Sequence, residues 1–304
     1  MIKTFFNYLV FPGFIFSAVI GLIAGWVDRK VSARLQWRVG PPWHQNFTDI
    51  IKLFGKEIIV PLNGRWTFLL APYIGLLGLT LAATILGKAA GLSFGGFSGD
   101  LIVILYLLLM PAASLIIGAS ASGNPLASVG ASREMKLVLA YELPLILSVI
   151  AVAIKAAGAI RLEQLILAQS ASGSFIFSFS GALAFIAALI ATQAKLGLAP
   201  FDVSEAEQEI MAGVLIEYSG LPLAVYKLNK AILLYTMPLF LILLFLGKDL
   251  NPLFMIGKFL IILVLFILIK NTNPRLRIDQ AMRFLWGPVT LLAIAAIVLA
   301  ALGK

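Results

Sequence analysis

The sequence predicts an all-α, polytopic membrane protein: about eight transmembrane helices, with short amphipathic helices on the cytoplasmic side. Two observations carry this. Of the 304 residues, 61% are hydrophobic and 12% charged, against roughly 45–50% and about 25% in soluble domains, and the mean hydropathy is +1.02. The apolar residues also fall in runs of membrane length, since a hydrocarbon core of about 30 Å needs roughly 20 of them per helix.

By that criterion the spans lie at about 8–27, 67–89, 100–121, 134–157, 175–194, 221–246, 253–270 and 284–302. The first is followed by Asp28-Arg29-Lys30 rather than a small-residue cleavage site, which makes it a retained anchor. In the connection after it, Arg34 and Arg38 share a helical face until Gly40-Pro41-Pro42 stops the helix. Phe47–Ile59 then forms an amphipathic segment with Ile50, Ile51, Phe54 and Ile58 on one side. Gly123-Asn124-Pro125 parts the third span from the fourth, and the amphipathic stretch Arg161–Gln169 leads to the fifth. Residues 247–252, ending in Asn251-Pro252, separate the sixth and seventh. With no internal repeat, the chain is a single integral membrane domain, 1–304, with 28–66 and 195–220 as cytoplasmic docking and coupling connections.

Charge sets the orientation. Connections after spans 1, 3, 5 and 7 hold 14 of the 23 Lys and Arg residues, Lys195 among them, and the other side holds seven. The positive-inside rule therefore puts those connections in the cytoplasm and both termini outside the cell membrane. A formal net charge of +9 spread among apolar spans fits topology and not nucleic-acid binding. With no Cys and one His, His44, the chain lacks thiolate metal sites, cysteine-held clusters and multi-histidine sites, so it is expected to bind no redox cofactor.

The acidic residues are concentrated. Asp202, Glu205, Glu207, Glu209 and Glu217 are five of the chain's 14 acids, and they lie within 200–220. Glu205, Glu209 and Glu217 at i, i+4 and i+12 predict one carboxylate stripe, with Glu207 pointing away. Such a stripe either solvates an amphipathic helix or forms a proton-conducting, charge-sensing element. Glu142 lies nine residues after Arg133, about 13.5 Å along a helix, in an apolar run at mid-membrane depth. A carboxyl there is by default an ion or proton relay, with Pro144 loosening the backbone beside it. Lys227 and Lys230 are its plausible counter-charges, unless they snorkel to the interface.

Four stretches are similar to one known family. They are Asp28-Arg29-Lys30 through Arg38-Val39-Gly40-Pro41 to Glu57; Gly130 through Arg133-Glu134 to Tyr141-Glu142; Pro200-Phe201-Asp202 through Glu217-Tyr218-Ser219-Gly220; and Pro274-Arg275 through Arg277, Asp279 and Gln280 to Trp286. In this order they resemble the H subunit, or subunit 1, of respiratory complex I and its relatives, which anchors the peripheral arm. Residues 40–45 and Val214-Leu215-Ile216 depart from the complex I pattern. They look more like the membrane anchor of energy-converting, membrane-bound nickel–iron hydrogenases and related ferredoxin-linked complexes.

The resemblance implies a subunit without its own redox centre, within a multisubunit ion-translocating oxidoreductase and inactive alone. Glu142, the five acids, Lys227 and Lys230 would form a proton or ion path. Arg29, Arg34, Arg38, Arg133, Arg275, Arg277 and Asp279 would line cavities or dock partners. Those partners would be hydrogenase-like large and small subunits, an iron–sulfur subunit, small membrane subunits and antiporter-like subunits, with ferredoxin engaged indirectly. Iron–sulfur clusters and the nickel–iron centre would lie in the partners. The runner-up is a quinone-reducing complex I subunit, and a different class is a stand-alone secondary transporter.

Overall fold

Helix ends in a bilayer must satisfy their own backbone groups, and in this chain named side chains do so. The protein was analysed as a computed structural model that describes residues 2–61, 64–91, 97–205 and 207–303, with the side chains of 2–4, 207 and 208 set aside. Its helices are α1 (Ile2–Leu9), α2 (Phe14–Leu35), α3 (Gln45–Phe54), α4 (Arg65–Ala90), α5 (Asp100–Ala121), α6 (Pro125–Lys155), α7 (Leu162–Ser172), α8 (Phe179–Lys195), α9 (Glu207–Ile210), α10 (Gly220–Phe245), α11 (Pro252–Thr272), α12 (Ile278–Phe284) and α13 (Thr290–Ala301). A π-helical turn, Leu285–Val289, carries Pro288 and joins the last two.

Among the described residues seven helical stretches are long and apolar enough to cross a membrane, and α8 is a shorter apolar helix. Seven of the expected spans thus stand as candidate crossings, the fifth is the shorter helix α8, and their edges move. The fourth starts nine residues early, at Pro125, because Asn124 accepts the Leu126 N–H at 2.8 Å and Pro125 takes the first helical position. Arg133 and Glu134 therefore sit on α6 and not in a connection. The first crossing ends at Leu35, with Trp37 at φ 59°, so Arg38 lies beyond the helix and shares no face with Arg34. In the amphipathic segment the buried pair is Ile50 and Leu53, packed on Leu22 and Ala224, whereas Ile51, Phe54 and Ile58 are exposed.

Helix α10 is the hub, buried along almost its whole length among the others. It meets α2 closely enough that a Cβ on Gly21 would lie 2.2 Å from the Ala231 carbonyl oxygen. At one end of the bundle, Asp100 accepts the Leu162 N–H at 2.8 Å and so caps α7 from α5. Gln169 donates to the Leu243 and Leu244 carbonyls and accepts the Gly247 N–H, and Lys258 donates to Leu246 and Asp249 carbonyls. The α10 C-terminus is thereby closed.

At the other end the connections 36–64, 122–124, 196–219 and 273–277 bind one another. Ser219 joins the backbone of Glu57 and Ile59, Asn124 donates to Glu217 at 2.5 Å, and the Leu276 N–H donates to the Pro200 carbonyl at 2.9 Å. Tyr218 stacks on Phe68 at 4.0 Å and donates to its carbonyl, while Tyr226 stands edge-on to Tyr218. Burial pushes the Tyr218 phenol up to about 12, opposed by its hydrogen bond with Tyr226, so at neutral pH it stays a donor.

Candidate functional site

Connection 196–219 does not form the helix its spacing suggests. After four residues of α9, Met211 takes φ 57° and Gly213 φ 52°, both left-handed, and a 3-10 turn follows at Gly213–Leu215. The cause is tertiary. Gly130 of α6 lets the Val214 backbone approach so closely that a Cβ there would be 2.8 Å from the Val214 nitrogen. The single carboxylate stripe is thus overturned, and its members face three partners. Glu205 pairs with Lys230, Glu209 with Arg133 at 2.5 Å, and Glu217 accepts from Asn124. Glu209 is 55% exposed. The expectation that Glu207 points off the stripe concerns a side chain outside those described.

Glu142 is met by Lys195, and not by Lys227 or Lys230. The reason lies in helix length. At 1.5 Å per residue the 17 residues of α8 span about 25 Å, less than a hydrocarbon core of about 30 Å, and its last residue is enclosed within the protein. Lys195 is 1% exposed and Glu142 16%. Its ammonium also stands 5.1 Å from the centroid of the Tyr141 ring. Lys195 therefore leaves the set of topology-setting surface charges.

Glu134, two helical turns before Glu142, is buried beside Ser204. Together with Lys195, Asp202, Glu205 and Lys230 it lines a cavity of about 60 Å³, room for a few water molecules. Asn229 lines it too; its amide donates to the Pro72 carbonyl at 3.1 Å, and its buried Oδ1 has no protein partner. A water is the natural partner for such an acceptor. At the outer side Asp202 pairs with Arg275 at 2.9 Å. Burial holds the Asp202 carboxyl above the usual carboxylate range, with Arg275 pulling the other way.

A second cleft, of about 300 Å³, shares Gly197 and Lys230 with the first and opens between α2, α3 and α10. Its walls are Leu22, Ile50, Leu198 and Leu234, and its polar groups include Lys227, Asn46 and two ion pairs, Asp28 with Lys270 at 2.8 Å and Asp49 with Arg29 at 3.4 Å. Lys227 thus faces this cleft. Arg38 and Arg277 are exposed on the connections, where Trp37 is 99% exposed, and Arg34 and Asp279 are exposed on the adjoining ends of α2 and α12. No three or more His, Cys, Asp or Glu side chains among the described residues are placed to hold a metal ion.

Glu134 and Lys195 escaped the sequence reading as site residues. Glu134 was legible from its i, i+8 relation to Glu142. Lys195, at the end of an apolar run of full membrane length, carried no signal in the sequence.

The family model described as NADH dehydrogenase matches residues 7–301. Among curated relatives, the H subunit of the NADH-quinone oxidoreductase of Thermomicrobium roseum is 35% identical, covering 95% of this chain and 93% of its own. Its counterpart of the same name from Anoxybacillus flavithermus is 32% identical, over 97% and 91%. A solved chain of the membrane-bound sulfane sulfur reductase, an archaeal respiratory membrane complex, superposes with a TM-score of 0.88 at 32% identity, covering 98% of this chain and 99% of that one.

Proposed function

Since the chain belongs to the NADH dehydrogenase family of membrane subunits, we propose that it is the membrane-anchor and coupling subunit of a ferredoxin-linked, ion-translocating complex of the hydrogenase type. In this reading soluble partners carry the iron–sulfur clusters and the nickel–iron or other terminal site. This chain, which has no Cys, supplies the protein side of the coupling. What supports this choice among relatives is the match to the sulfane sulfur reductase chain, with a TM-score of 0.88 at 32% identity over 98% of this chain, together with the departures of residues 40–45 and 214–216 from the complex I pattern.

The path runs inward from Asp202 and Arg275 at the connection, through Glu205, Lys230 and Glu134 around the cavity, to Glu142 and Lys195. Electron transfer in the partners changes the charge or position of connection 196–219, and the carboxylates answer by taking up or releasing protons. Exposed Arg34, Trp37, Arg38 and Arg277 dock the soluble module, so the connected end faces the cytoplasm and both termini lie outside.

A second reading, the quinone-reducing subunit, is favoured by the named curated relatives and by the apolar walls of the 300 Å³ cleft. One experiment separates them. The complex is purified through a tag on this chain, its companions are identified by mass spectrometry, and electron transfer is assayed from reduced ferredoxin and to a water-soluble quinone. Hydrogenase-like companions with ferredoxin-dependent turnover support the first reading; quinone reduction sensitive to changes in the cleft replaces it with the second.

A further inference from the structure

We infer that Lys195 is a mobile counter-charge, whose ammonium exchanges between Glu142 and the cavity holding Glu134 and so decides when Glu142 carries a proton. The inference rests on the coupling role proposed above and adds a moving part to it. Of the six ion pairs among the described residues, this is the one whose cation is shut from solvent, at 1% exposure. A static buried pair brings little, because desolvating two charges offsets most of their attraction and well-packed apolar replacements are often as stable. A moving cation makes use of that arrangement.

The geometry provides for movement. The flexible four-carbon stem of Lys195 hangs from the last residue of α8. Its ammonium touches Glu142 and stands 5.1 Å from the centroid of the Tyr141 ring, and Lys195 is among the residues that line the cavity also holding Glu134. Asn229 also lines that cavity, and its buried Oδ1 has no protein partner, which makes water its natural one. Facing Lys195 are Glu142, Glu134 and Tyr141 from α6, Asp202 and Glu205 from the connection, and Lys230 from α10.

With the ammonium on Glu142, that carboxylate stays ionised. When the ammonium turns into the cavity, drawn by Glu134, Glu142 is left without a counter-charge in a low dielectric and binds one hydrated proton that has entered from the aqueous phase at the connected end, leaving no hydroxide behind. The returning ammonium expels that same proton. Lys195 stays protonated throughout.

The test uses the whole complex in sealed vesicles and reads ions moved per electron alongside electron flux. Lys195→Arg keeps the charge, but its planar fork favours a fixed bidentate grip on Glu142. The exchanged pair Glu142→Lys with Lys195→Glu keeps an ion pair but moves the cation from a helix end to the middle of α6. Both variants are expected to assemble and pass electrons, yet to move roughly tenfold fewer ions per electron. Lys195→Met alone, which leaves Glu142 in place without its counter-charge, should do the same, and it keeps the test decisive if the exchanged pair does not assemble. Wild-type ion movement in Lys195→Arg or in the exchanged pair overturns the inference. If Glu134→Gln and Glu142→Gln abolish ion movement while the Lys195 variants keep it, the path stands and the mobile cation falls. If all of them keep it, the coupling role itself falls.

Discussion

The two ends of this bundle bury polar groups in different ways, and the difference separates architecture from candidate chemistry. At the α7 end, Asp100, Gln169 and Lys258 bond to backbone groups, each closing a helix terminus. At the connected end Lys195 meets Glu142 and Lys230 meets Glu205, beside a water-sized cavity that Glu134, Lys195, Glu205 and Lys230 line. A backbone partner has no charge to exchange, so the first arrangement can only hold shape. Titratable groups facing titratable groups respond to each other's charge, and that responsiveness is what coupling needs.

The largest effect expected from breaking this contrast is at the inner pair of acids. Glu134→Gln with Glu142→Gln should cut ions moved per electron by at least roughly tenfold while the complex assembles and passes electrons from an artificial donor. Simultaneous measurement of flux and vesicle acidification or sodium uptake checks it. Next comes the architectural end. Asp100→Ala strands the buried Leu162 N–H and should cost about 1–3 kcal/mol, read as a lower melting temperature of the complex, with ions per electron unchanged.

Smaller effects distinguish depth within the connection. Glu205→Gln, at the cavity, should lower coupling measurably. Glu209→Gln removes a carboxylate that is 55% exposed and should change stability by no more than about 1 kcal/mol, with coupling intact. Equal responses from the two would restore the single solvated stripe.

The smallest prediction concerns pH. Burial raises the Asp202 carboxyl, so the fold disfavours its charged form. The sign follows: its contribution is most favourable below the unfolded carboxylate's pKa and is lost as pH rises through the higher folded value. Asp202→Asn should therefore flatten the fall in melting temperature across that acidic window. A steeper fall in the variant would contradict the assignment.

Much of the fold was legible because lipid imposes it: apolar runs of membrane length marked the seven candidate crossings and the shorter α8, and Asn124-Pro125 carried a readable cap. The site was legible only in part. Glu142 stood out because few acids occur in such runs, but its partner did not, since a Lys closing an apolar run looks the same whether it reaches water or stops inside. The stripe failed for another reason. Helical spacing over 205–217 is a local signal, and the close approach of Val214 to Gly130, with left-handed Met211 and Gly213, is decided by packing between segments distant in sequence.

The most direct test of the central claim compares Glu142→Gln with Asp100→Ala in the same vesicle preparation, reading ions moved per electron transferred. The account predicts a ratio that collapses in Glu142→Gln while electron flow persists, and a wild-type ratio in Asp100→Ala despite its lower stability. A wild-type ratio in Glu142→Gln, or an equal loss in both variants, would contradict it.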